Sequence, residues 1–175
     1  GADNTSAPGR LGGTGSITSE GGVRIGSHGT VTAGLTTTLG SLDITGALAF
    51  SSGGTLHVDV DGAGTSDVLN VAGTVDITGA VLDGTWLAGD SIGPASRYWA
   101  ILNDGGDAIT GTFANASLGS PFAPFYPAAE GFVTLGGQEF AIYYNADHGT
   151  NAVTGGNDLL LSAVPEPAAA ALLLL

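Results

Sequence analysis

The sequence contains no cysteine, no methionine and no lysine, and each absence narrows what the protein can be. Without cysteine the fold has no disulfide and the chain has no thiol chemistry. Without lysine the strongly basic side chains are Arg10, Arg24 and Arg97, against 16 acidic residues, so the formal net charge is −13. A surface of this charge repels phosphate backbones, and we therefore exclude nucleic acid as a partner.

The absence of methionine bears on where the protein works. Gly1 is not the residue that starts translation, and removal of a secretory signal peptide is the simplest expectation. We therefore expect an exported protein that acts outside the cell.

Glycine is abundant, with 31 positions against 7 for proline. Without a Gly-X-Y period, this much glycine argues against collagen and predicts many tight turns between short strands. Hydrophobic residues make up 43% of the chain and charged residues 11%. The apolar share is sufficient for a core, so the charged type of disorder is excluded.

A unit of Gly, then Ser or Thr, then an apolar residue recurs in the first half of the chain. Each copy opens a short run in which apolar and polar residues alternate, as at Leu56, Val58 and Val60. Alternation with a period of two predicts β-strands. The copies begin at Gly15, Gly29, Gly40, Gly54, Gly73 and Gly84.

The clearest internal repeat is LDITGAL at residues 42–48 against VDITGAV at residues 75–81, 33 positions apart. A repeat with this strand-and-turn texture predicts stacked coils, each covering the apolar face of the next. The predicted fold class is therefore all-β, an irregular β-solenoid or β-helix-like stack, with a β-sandwich as the alternative.

Aromatic residues concentrate after about residue 90. We interpret this region as an aromatic-rich β cap that closes one end of the stack, because an open β edge recruits other strands. The segment PFAPFYP at residues 121–127 is interpreted as a packed loop of the cap, with a binding surface as the alternative. Strands are predicted at residues 98–102, 111–113, 131–135, 139–144 and 159–163.

The last residues carry a recognisable motif. Val164, Pro165, Glu166 and Pro167 are followed by AAAALLLL at residues 168–175. This arrangement resembles the PEP-CTERM sorting signal of exopolysaccharide-producing Gram-negative bacteria, in which the motif precedes a membrane-spanning helix and a short basic cluster. The resemblance implies processing by an exosortase-type enzyme and a location outside the cell or on the surface of a Gram-negative bacterium.

Further segments resemble the β-solenoid passengers of autotransporter type. They are SDVLNVAGTV at residues 66–75, residues 98–106 with 111–113, and GGNDLLL at residues 155–161. The resemblance implies a strand-turn-strand element in the first segment and domain-closing elements in the others.

These observations divide the chain into four parts. We predict a flexible arm at residues 1–15, solenoid repeats at 16–90, a β-rich cap at 91–163, and the PEP motif with the start of a hydrophobic sorting tail at 164–175.

One segment suggests metal binding. In DVDGAGTSD, residues 59–67, Asp59 and Asp61 alternate with Val60, and two glycines lie between Asp61 and Asp67. Carboxylates around a sharp glycine turn suit an oxygen-ligated calcium ion, although a calcium loop needs a further acidic or amide ligand before the glycine. The alternative is a plain turn with solvated carboxylates. Apart from calcium we expect no cofactor.

We predict no catalytic residues. The serines lack a Gly-x-Ser-x-Gly elbow, and His28, His57 and His148 are scattered without the spacing of metal ligands. Paired carboxylates can cleave glycosides, but a chain with three arginines has little with which to hold an acidic sugar. A glycan-cleaving enzyme is therefore the third of three hypotheses.

The leading hypothesis is an extracellular structural protein that self-associates into a fibre or a surface or biofilm matrix. Association would proceed by stacking of coil ends or by β-strand addition. The second hypothesis is a surface-anchored adhesin that binds exopolysaccharide through Trp86, Trp99, Phe125 and Tyr126.

Overall fold

The computed structural model describes residues 8–35, 38–87, 96–103 and 106–165. Within these residues the regular structure is β, apart from one 3₁₀ turn at Ala123–Phe125, so the prediction of an all-β chain is confirmed. In the same residues we find no helix long and apolar enough to cross a membrane.

Ten short strands come first and four further strands follow. The short strands are β1 (Arg10–Gly13), β2 (Gly15–Thr18), β3 (Val23–Ile25), β4 (Thr30–Ala33), β5 (Ser41–Thr45), β6 (Leu48–Phe50), β7 (Thr55–His57), β8 (Val68–Ala72), β9 (Val75–Asp76) and β10 (Val81–Asp83). The others are β11 (Arg97–Asn103), β12 (Gly131–Leu135), β13 (Gln138–Ala146) and β14 (Asp158–Ala163).

Every third strand among the first ten joins the same sheet. β1, β4, β7 and β10 form one parallel sheet, and β3, β6 and β9 form a second. The third sheet begins with β2, β5 and β8 and continues through β11, β14, β13 and β12. In the described ranges none of the three sheets closes on itself.

The spacing between paired strands differs from the 33-residue repeat of the sequence. Leu42 pairs with Leu69, 27 positions further on, and Val75 pairs with Leu48, 27 positions earlier. The two copies of the repeat therefore lie in different sheets. Each copy forms the same type of corner at a different place: residues 42–48 lead from β5 through a glycine to β6, and residues 75–81 lead from β9 through a glycine to β10.

Glycine is required at the first of these corners. Gly46 has a φ of +122°, and a Cβ on it would lie 2.2 Å from the carbonyl oxygen of Ser19. A side chain would therefore collide with the backbone of the neighbouring corner. The motif is therefore repeated because both corners need this turn. Its 33-residue offset does not indicate the number of residues between paired strands.

The core consists of rows of aliphatic side chains in register. Ile17 pairs with Ile44, and Ile44 with Val71. In a second row Val23 pairs with Leu48. Ile44 is 1% exposed and Leu48 is fully buried, and burial of such a side chain contributes about 1.5–3 kcal/mol. Apolar and polar residues alternate along each strand because only every second side chain points into these rows.

The antiparallel strands β11 to β14 of the seven-stranded sheet carry a second apolar cluster. It lies on their outer face, opposite the main core. The loop at residues 121–127 covers it, as predicted for a packed cap loop. The Tyr126 hydroxyl donates to the carbonyl oxygen of Ala163 at 3.0 Å, and its ring meets that of Phe132 edge to face. β11, β12, β13 and β14 lie within two residues of their predicted positions.

Two predictions differ from the structure. Residues 111–113 form no strand, although Thr110 makes an isolated bridge to Asp76. In the predicted arm, Arg10–Gly13 form β1 and pair with β4, because Leu11 packs against the core. Residues 1–7, 88–95 and 166–175 lie outside the described residues, and so do those parts of the predicted arm, solenoid, cap and tail.

We expect Ile44→Ala to lower the free energy of unfolding by about 2–5 kcal/mol, because the cavity opens in the middle of a continuous row. Thr45→Ala on the same strand is the control, since Thr45 is exposed and its loss should change stability by less than about 0.5 kcal/mol. Urea unfolding followed by circular dichroism measures both. Equal effects would contradict the assignment of the rows.

Candidate functional site

The predicted calcium loop is the turn between β7 and β8. Asp61 closes this turn itself, because its Oδ1 accepts hydrogen bonds from the backbone N–H groups of Ala63 at 3.0 Å and Thr65 at 2.7 Å. That oxygen is therefore used to hold the local chain conformation.

Asp67 joins separate segments of the fold. Its Oδ1 accepts from the N–H of Gly40 at 2.9 Å. Its Oδ2 lies 3.3 Å from the N–H nitrogen of Asp59 and 3.2 Å from the hydroxyl of Thr32. The side chain is 2% exposed. Burial raises the pKa of Asp67 above its ordinary 3.8, and the neighbouring Asp59 charge raises it further, while the hydrogen bonds lower it.

Asp59 sits beside His57 in a polar cluster. Oδ1 of Asp59 lies 2.9 Å from Nε2 of His57, whose Nδ1 lies 3.2 Å from Oδ2 of Asp83. The Thr85 hydroxyl is 3.3 Å from the same Nε2. Asp59 is 1% exposed, and in the described part of the chain its Oδ2 has no hydrogen-bond partner. The sequence predicted no role for His57. Asp59 is only two residues away, but Asp83 reaches the ring from a different strand, β10, and this contact is visible only in the fold.

The three predicted calcium ligands do not form one ligand group. Over the residues that the structure describes, no set of three or more His, Asp and Glu side chains is placed to hold a metal ion. Asp61 bonds its own turn, whereas Asp67 bonds the backbone of other segments. Calcium binding stays a prediction.

The four aromatic residues predicted to contact glycan fall into two places. Trp99 and Tyr126 border the same outer cluster, and the ring of Trp99 meets that of His148 edge to face at 4.9 Å. Phe125 projects from the loop and is 60% exposed. Trp86 lies elsewhere, at an isolated bridge to Val60.

The sorting motif begins where β14 ends. The N–H of Val164 donates to the carbonyl oxygen of Glu139 at 2.9 Å, and the side-chain amide of Gln138 donates to the carbonyl oxygen of Val164. Val164 is 2% exposed. Pro165 is half-buried, and Glu166 and Pro167 lie outside the described residues.

The last strands of the two smaller sheets are covered. Thr110 exchanges backbone hydrogen bonds with Val75 and Ile77 at the edge of β9. At the edge of β10, the Asn115 side chain donates to the carbonyl oxygen of Leu82 at 2.8 Å and accepts from its N–H at 3.0 Å. One side-chain amide thus replaces a strand. No pattern in the sequence indicates this role of Asn115.

The first strands of all three sheets are different. Within the described ranges, β1, β2 and β3 each pair with a single strand, namely β4, β5 and β6. We call these three strands the N-terminal edge. Leu11, Ile17 and Val23 on it are only partly buried. Their register partners in the next strands are at most 1% exposed.

A groove of about 280 Å³ opens at the N-terminal edge between β1 and β3. Arg10 and Arg24 line it, and both side chains are exposed. Residues 8–35 otherwise carry one formal charge, on Glu20, so this segment has a formal charge of +1 in a chain of −13. The N-terminal edge therefore combines unpaired strands, incompletely buried aliphatic residues and positive charge.

Comparison with known proteins adds no identification. No family model matches the chain, and no curated protein or solved structure matches it.

We expect Asp67 to make stability depend on pH. A folded-state pKa above 3.8 means that the folded protein binds the proton more tightly. The resulting stabilisation is complete below pH 3.8 and is lost as the pH rises through the raised pKa. Asp67→Asn removes this titration. Urea unfolding from pH 3.5 to 7 should show wild type gaining on the variant as pH falls, and a constant difference would contradict the assignment.

Proposed function

We propose that the parallel strands β1 to β10 of the three sheets form the faces of an irregular β-solenoid and that the aromatic-rich region from β11 onward is its cap. We further propose that the chain is an extracellular structural protein which assembles with copies of itself. The fold proposal is supported by the return of every third strand among the first ten to the same sheet after 20–27 residues. The packing of two sheets in a β-sandwich does not require every third strand to pair in parallel, whereas the coils of a solenoid do.

The N-terminal edge is the observation that carries the functional proposal. Its three strands lack a second paired strand within the described residues, whereas the edges of β9 and β10 are covered by Thr110 and Asn115. Unpaired strand edges recruit further strands. A molecule whose two ends differ in this way is suited to ordered association.

The proposed location draws on the end of the chain. Val164 is still bonded to Glu139 and Gln138 of β13 and is buried, whereas the next residue of the motif, Pro165, is half-buried. A sorting signal recognised by an exosortase-type enzyme needs to be accessible, so we expect recognition to begin at Pro165. The resemblance of Val164, Pro165, Glu166 and Pro167 to the PEP-CTERM motif supports export to the surface of a Gram-negative bacterium. A net charge of −13 keeps such material soluble until it assembles.

We expect the purified protein to form particles larger than a monomer as its concentration rises, because association covers the N-terminal edge. Light scattering after size-exclusion chromatography measures the mass, and negative-stain electron microscopy shows the shape. A monomer at every concentration tested, with an intact mass that matches the whole chain, would contradict self-association.

The exposed Phe125 favours a second candidate, an adhesin for neutral polysaccharide. Aromatic rings exposed on a packed loop stack on sugar faces, and Phe125 is 60% exposed beside Tyr126. We expect Phe125→Ala to reduce retention on immobilised neutral polysaccharide several-fold. Leu118→Ala is the matched control, since Leu118 is 76% exposed and not aromatic. Equal retention of wild type and both variants would reject this candidate.

A further inference from the structure

We propose that the N-terminal edge of one copy docks on the β12 side of a second copy, so that copies join head to tail. The inference rests on the self-association proposed above and adds the two surfaces that meet. The partner that we propose for the N-terminal edge is a second copy of this chain.

The N-terminal edge offers the ends of three apolar rows. Leu11, Ile17 and Val23 are partly buried, whereas Val31 and Leu48, the register partners of Leu11 and Val23, are fully buried. The rows are complete on one side and open on the other. A second copy placed there would remove apolar surface from water, which is favourable by about 25 cal/mol per Å².

The β12 side offers a second incompletely paired strand. β12 and β2 are the two end strands of the seven-stranded sheet. Beyond β12, in the part of the chain that the structure describes, pairing is limited to an isolated bridge between Ser117 and Phe132. Leu118, next to that bridge, is 76% exposed. Both backbone groups of Phe132 are bonded to Ser117, so an incoming β2 edge would pair with the remainder of β12 and contact the exposed Leu118.

The edges of β9 and β10 cannot take this role. Backbone groups of Val75 and Ile77 are already bonded to Thr110, and those of Leu82 to the Asn115 side chain. β9 has two residues and its edge is taken up by Thr110, whereas of the five residues of β12 only Phe132 is bonded across the outer edge within the described residues. On that half of the molecule we therefore assign backbone pairing to the β12 side.

Charge selects head-to-tail over head-to-head contact. Residues 8–35 have a formal charge of +1, from Arg10, Arg24 and Glu20. Residues 106–165 contain no Arg or Lys and carry five acidic residues, a formal charge of −5. Two N-terminal edges would oppose like charges, whereas an N-terminal edge and a cap attract each other. Different surfaces meet in such a contact, so it need not close and can extend into a filament.

The first test reverses the charge of the edge. Arg10→Glu with Arg24→Glu should weaken association of the full chain by about tenfold or more, and high salt should weaken association of wild type in the same direction. Arg97→Glu is the matched control, because Arg97 is the remaining arginine and lies on β11. It should change association much less. Sedimentation velocity measures association, and thermal unfolding checks that each variant is folded.

The second test separates the two surfaces. Leu118→Asp damages the β12 side and leaves the N-terminal edge intact, so each variant retains one working surface. Each should fail to form long assemblies alone, while a mixture of Leu118→Asp with the double arginine variant should form a one-to-one pair. Assembly that stops at dimers and is unaffected by Leu118→Asp would indicate head-to-head contact and overturn the proposal.

The outcomes distinguish this inference from the functional proposal. If wild type stays monomeric, self-association itself fails. If wild type assembles and the arginine variants assemble equally well, self-association stands and the proposed surfaces are wrong. If deletion of residues 1–7 converts a monomer into an assembly, those residues occupy the edge in place of a second copy, and the inference is overturned.

Discussion

Parallel pairing between strands three apart in chain order is the constraint on which the rest of this structure depends. Among the first ten strands, it requires the chain to return to the same sheet after 20–27 residues. Like residues then stack in rows, such as Ile17, Ile44 and Val71. Glycine is needed where successive corners approach each other, as at Gly46. In the solenoid proposed above, the interior rows are alike, so the distinctive features of the molecule lie at its two ends.

Local signals predict the strands well and their spacing poorly. Alternation and glycine punctuation are properties of a few neighbouring residues, so strands such as β5 and β12 are visible in the sequence. The spacing between paired strands depends on how corners pack on each other. The repeat that begins at Leu42 and Val75 marks two different corners, and its 33-residue offset therefore says little about pairing.

The candidate site residues were only partly accessible to the same reasoning. A sequence shows that Asp67 is a carboxylate but not that its oxygens will meet Gly40 and Thr32 from distant segments. Likewise, the sequence does not show that the Asn115 amide makes the hydrogen bonds to β10 that a neighbouring strand would make, because these bonds depend on the tertiary fold. The aromatic pair Trp99 and Tyr126 does share one cluster, because both lie over the outward face of the antiparallel strands, while Trp86 follows β10 to another place.

The side-chain amide of Asn115 has an evolutionary consequence. Because one residue covers the edge of β10, the end of the solenoid proposed above would not depend on how many three-strand layers precede it. Duplication or loss of one layer of about 27 residues would change the length of the molecule by about 4.8 Å and leave both termini of the stack as they are. On the proposed solenoid, the length of the molecule and its two end surfaces can therefore change independently of each other.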